Sequence, residues 1–154
     1  MKHLLDYLRF VLISPELLVA LLIAAAAVIR PDLFVFFSQF VLSTDATIVV
    51  ALVGVPIFLL AASYKIGDMI LTSAAKNGLV KWDGYWRLKH RVYFSWILSG
   101  LNVPLTYFAW FLTHQGHSLL GTTLILGGWG VSGVSTMTLA VAKISMGDVI
   151  AKEE

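Results

Sequence analysis

Four groupings in this sequence combine residue types at spacings that could do chemistry. Glu16 follows Pro15 at the start of an apolar run. A carboxylate deep in a bilayer is the usual mark of a transport pathway, because such a group is too costly to keep there without use. Its position is equally that of a helix start: Ser14 can cap, Pro15 wastes no amide hydrogen at the first helical position, and Glu16 meets the positive end of the dipole. We assign it the capping role. His114 and His117 flank Gln115 and Gly116, which could bring two imidazoles to one metal. Two ligands are too few for a closed zinc site, and Asp32 or Asp45 would have to complete it, so an ordinary solvated turn is expected. Asn102, with Ser95, Ser99 and Thr106, forms a polar streak near Pro104; its expected role is to satisfy backbone carbonyls that the proline leaves free. The fourth grouping is the passage from Lys76 to Arg91, where Lys81, Arg87, Lys89 and Arg91 alternate with Trp82, Tyr85 and Trp86. That mixture suits the boundary where a chain leaves hydrocarbon and meets anionic headgroups, or a dock for a soluble partner.

The elements that position these groups belong to a membrane protein. Of 154 residues, 58% are hydrophobic and 13% charged, against a charged fraction near 25% in soluble domains. Apolar runs follow one another with turn chemistry between them, giving an all-α polytopic fold with four expected spans: 15–29 or 15–42, 46–64, 92–112 and 119–142. An amphipathic helix over Lys2 to Ile13 is expected to lie in the interface ahead of them. The first run covers only about 22 Å of the roughly 30 Å hydrocarbon core before Arg30-Pro31-Asp32. The Phe-rich segment 33–42 then either re-enters at the outer side or continues the span. Gly54 and Pro56 interrupt the second span, and Asn102 and Pro104 the third; Pro56, Asn102 and Pro104 are the expected hinges.

Orientation follows from the 11 Lys and Arg residues, of which only Arg30 falls on the far side. Both termini and the 65–91 loop are therefore expected in the cytosol, most naturally at a bacterial inner membrane. In the fourth span Gly128, Ser132, Thr136 and Ala140 recur every four residues, a small-residue face on which helices approach closely, within one chain or between copies.

No phosphate loop, nucleophile elbow or usefully spaced carboxylate pair occurs. The absence of cysteine removes thiol redox chemistry, disulfides and thiolate metal sites. No catalytic residue, cofactor or metal is expected, and no direct contact with nucleic acid. By span count and a cytosolic docking side, the layout resembles the membrane component of two-gene bacterial anti-phage systems such as Kiwa. That resemblance implies sensing of envelope disturbance and its transmission to a cytosolic effector. The expected function is thus a non-enzymatic membrane subunit that self-associates and anchors or regulates a cytosolic protein; a homo-oligomeric channel or depolarising pore is the alternative. In the cysteine-free chain, Gln115→Cys is expected to react with an impermeant maleimide added outside intact cells. Asn77→Cys should react only after the cells are opened, and its labelling from outside would reverse the topology.

Overall fold

A computed structural model describes residues 14–42, 46–76 and 84–150, with 46, 49 and 147–150 described by backbone only. The arm 2–13, the capping signal Ser43-Thr44-Asp45 and the expected stop at Asn77-Gly78 lie outside the described residues. Five helices follow in order: α1 (Pro15–Ile29), α2 (Pro31–Val41), α3 (Ala46–Lys76), α4 (Tyr85–His114) and α5 (Ser118–Ile150). Each start and stop has a local cause. The Ser14 hydroxyl accepts from the Leu17 amide at 3.2 Å, and Pro15 opens α1. Arg30 ends α1 and Pro31 starts α2 after a bend of 102°, with the Arg30 guanidinium on Asp32 at 2.9 and 3.2 Å. Helix α4 stops where Gly116 takes a φ of +92°, which lets the His117 amide donate to the Leu112 carbonyl at 3.0 Å.

The expectation of four spans is met in part. Val50–Lys76 and Ser118–Met146 are long and apolar enough to cross a membrane, and α1 with α2 makes a third crossing if the bent pair is one broken span. Helix α4 is as long as they are, but Tyr93, Trp96, Asn102, Pro104, Tyr107 and Trp110 dilute its apolar character. The chain is thus all-α with two to three candidate spans, the mark of an integral membrane protein.

Burial is inverted relative to a soluble bundle. Leu21, Val28, Val50, Phe58, Leu101, Tyr107 and Met137 are exposed, whereas Ser63, Ser95, Ser99, Asn102, Ser132 and Ser135 are buried. Small polar side chains inside and large apolar ones outside suit lipid as solvent, where close backbone approach replaces the hydrophobic drive. Helix α5 lies at the centre, packed by all four others. Its contact with α4 follows alternating steps of three and four residues: Val92, Ser95, Ser99, Asn102, Thr106, Ala109 and Thr113 are buried on α4, and Gly121, Ile125, Ser132, Ser135 and Leu139 on α5. This is the 3-4 packing of coiled coils.

Two apolar clusters close the ends. Val41, Leu52, Ala109 and Ile125 pack where α2 meets the bundle, and Ile70, Val92 and Leu139 pack at the other end. Helix α3 continues to Lys76 and α4 begins at Tyr85, so most of the 65–91 passage is helical, an extension of the bundle rather than an open loop. A Cβ at Gly121 would collide with the Thr113 hydroxyl and sit 2.5 Å from the Ala109 carbonyl oxygen, whereas one at Gly133 meets nothing within 4 Å. Gly121→Ala should therefore destabilise the α4–α5 hairpin by about 1–3 kcal/mol. Gly133→Ala should be neutral or stabilising by about 0.5–1 kcal/mol from helix propensity. Thermal unfolding in detergent, followed by circular dichroism, compares the two.

Candidate functional site

The most unusual grouping is an ion pair between two residues 75 positions apart, Arg91 and Glu16. The Arg91 Nη2 donates to Glu16 Oε1 and, at 3.0 Å, to the Thr138 hydroxyl, tying α1, α4 and α5 together. Glu16 is 3% exposed and the Arg91 side chain 14%. Thr138 is itself held in place, its hydroxyl donating to the Ser135 carbonyl at 2.8 Å. The Glu16 Oε2 has no hydrogen-bond partner among the described residues. Buried charge is tolerated only when paired, so the Glu16 carboxylate depends on Arg91. Ser14 supplies the cap that leaves the Glu16 carboxylate free to reach across to α4.

The rest of the basic-aromatic passage divides sharply. Lys81 and Trp82 lie outside the described residues. Tyr85, Trp86, Arg87 and Lys89 occupy the first two turns of α4. Trp86 is 61% exposed and meets the His90 ring edge-on at 4.1 Å between centroids, while the Lys89 ammonium lies 5.7 Å from the Tyr93 ring centre. Arg91, read from sequence as another surface cation, instead points inward. One turn further on, the Trp96 indole donates to the Ser63 carbonyl at 3.0 Å, joining α4 to α3. Gly67 makes room for it, since a Cβ there would sit 2.6 Å from Trp96 Nε1.

The polar streak on α4 does not serve Pro104 as expected. Asn102 Oδ1 accepts from the Thr106 hydroxyl at 3.4 Å, its Nδ2 has no partner among the described residues, and the side chain packs on α5 where Gly128 leaves space for it. Ser95, Ser99, Ser132 and Ser135 are buried along the same seam, and their hydroxyls also have no partner among the described residues. Gly128 and Ser132 belong to that seam, while Thr136 and Ala140 are half-buried beside it. A four-residue step turns about 40° round the helix each time, so it leaves the contact line that alternating steps of three and four hold. Pro56 is buried within α3 and Pro104 exposed within α4, and both helices continue on either side.

His114 Nδ1 lies 3.0 Å from the Trp110 carbonyl oxygen, and its ring packs on that indole. Among the described residues no three of His, Asp and Glu gather closely enough to hold a metal. No protein-family model matches the chain, and neither does any curated protein or solved structure.

Removing Arg91 leaves the buried Glu16 carboxylate without its charge partner. Arg91→Leu alone should lower stability by about 3–5 kcal/mol, and Glu16→Leu by less, since Arg91 is the more exposed of the two and keeps the Thr138 hydroxyl. The double variant should recover most of that loss, a coupling read from a double-mutant cycle of unfolding in detergent.

Proposed function

We propose that the chain is a non-enzymatic integral membrane subunit that carries the state of its membrane helices to a soluble protein on the cytosolic side. In this reading α1 with α2, α3, α4 and α5 make four crossings. Both termini and the 65–91 passage lie in the cytosol of a bacterial inner membrane, and copies of the chain associate through their lipid-facing sides.

The observation that carries the proposal is the split behaviour of the basic-aromatic passage. Trp86 and Arg87 stand exposed on the first turns of α4, with Lys89 half-buried beside them, available to headgroups or a protein. Arg91, on the following turn, grips the first turn of α1 through Glu16 and the body of α5 through Thr138. A shift of α1 in the bilayer strains that pair and is felt directly at the outward face of α4. A two-state element biased from one side and read from the other is the physical requirement for a sensor. The layout resemblance to the membrane component of two-gene anti-phage systems supplies a candidate input, disturbance of the envelope during infection.

The pore reading draws on the same buried hydroxyls, which could line a channel if α4 and α5 parted. They face one another within one chain, an arrangement that favours helix packing over conduction.

Affinity purification of the chain in mild detergent is expected to retain a soluble protein. Retention should be lost when Trp82, Trp86, Arg87 and Lys89 are together replaced by alanine. It should fall in Glu16→Gln, which leaves the docking face untouched. Ion flux through liposomes containing only this chain, with no retained protein, would favour the pore instead.

A further inference from the structure

Between α1 and the α4–α5 hairpin lies a cavity of about 400 Å³. Its walls are apolar, built by Ala20, Ile23 and Ala24 of α1, Leu98, Leu101 and Leu105 of α4, and Leu124 and Val131 of α5. Leu101 is 61% exposed, so the cavity opens sideways rather than toward either end of the bundle. Two of its lining residues are polar and deeply buried, Asn102 at 2% exposure and Ser132 at 1%. The Asn102 Nδ2 and the Ser132 Oγ are both donors without a hydrogen-bond partner among the described residues. In hydrocarbon an unpaired amide or hydroxyl is costly, because no water is present to take its place. The volume is that of an ordinary small-molecule site.

We propose that this cavity binds a membrane-dissolved lipophile whose carbonyl accepts from Asn102 and Ser132. The inference rests on the reading above that α4 and α5 cross the bilayer. Asn102 lies eleven residues from Arg91 and twelve from His114, about 16 and 18 Å along the helix, which places it near mid-depth. The ester carbonyls of a phospholipid stay at the interface, too far away to serve. A lipophile that carries its carbonyl into the hydrocarbon, as a long-chain quinone or ketone does, enters through the sideways opening and meets both donors once the Asn102 amide and the Ser132 hydroxyl turn from the helix seam into the cavity. Because α1 supplies one wall, an occupant also bears on the helix that Glu16 fastens to Arg91.

The test uses the full chain in nanodiscs loaded with decylbenzoquinone or with decylbenzene, which has the same tail and no acceptor. Native mass spectrometry of the released protein then counts what is retained. One decylbenzoquinone per chain is expected, held about tenfold more tightly than decylbenzene, the worth of one to two net hydrogen bonds. Asn102→Leu should erase the preference between the two probes. Gly127→Leu should exclude both, because Gly127 lines the cavity and a Cβ there meets nothing within 4 Å, so the new side chain starts in open space; circular dichroism checks that the variant keeps its helices. Equal retention of the two probes, or retention unchanged in Gly127→Leu, would overturn the proposal. Cysteine labelling at positions 77 and 115 decides the membrane crossing separately.

Discussion

The structure depends on α5 being thin. All four other helices pack on it, and in lipid nothing drives helices together except close contact and hydrogen bonds between them. A helix enclosed on so many sides needs small residues at many angles round its axis rather than on one stripe. Gly121 admits Thr113 and the Ala109 carbonyl of α4, Gly128 admits the Asn102 amide, and Gly130 brings Ile23 and Val19 of α1 against the backbone. Fixing α1 in this way sets the height at which Glu16 meets Arg91. The ion pair is therefore a product of glycine placement about two turns along α5 from Thr138.

The α4–α5 seam shows how such a structure is held without a large apolar core. Its buried residues are mostly serine, threonine, asparagine, glycine and alanine, and several of their hydroxyls have no partner among the described residues. Thr113, also buried there, donates back to its own helix at the Ala109 carbonyl, 2.9 Å away, as the half-buried Thr136 beside the seam does to that of Ser132 at 2.8 Å. Hydroxyls satisfied within the helix add little bulk between backbones, so contact distance is gained without an unpaired polar group. The hydroxyls left over mark the places where packing has taken precedence over satisfaction.

Local punctuation was legible in the sequence. Ser14-Pro15, Arg30-Pro31 and the Gln115-Gly116 turn are set by capping, by the missing proline amide and by glycine's access to positive φ, all short-range effects. The pairing of Glu16 with Arg91 was not legible, because each had a sufficient local explanation, a first-turn acid and a membrane-boundary cation. Only the fold brings residues 75 apart into contact. The one available signal was that Arg91 is the last basic residue of its passage and directly abuts the apolar run that starts at Val92. Asn102 was misread for a similar reason: Pro104 offered a nearby role, whereas the alternating spacing of Ser95, Ser99, Asn102 and Thr106 pointed to a partner helix. The four-residue rhythm on α5 was noticed in place of the mixed rhythm that governs burial, and α4 lost apolar character to exposed Tyr93 and Tyr107 and half-buried Trp96 and Trp110.

The break at Arg30 leaves the bundle with uneven girth. Helix α1 rises only about 22 Å before the chain turns aside by 102°, while α3, α4 and α5 each extend beyond about 44 Å. On the proposed arrangement, lipids flanking α1 must tilt or shorten their reach while those on the opposite flank stand at full height. Phe36, Phe37 and Phe40, clustered and outward on α2, occupy the space those lipids give up. Such a lopsided belt prefers thinner patches of membrane and would sort the protein toward them.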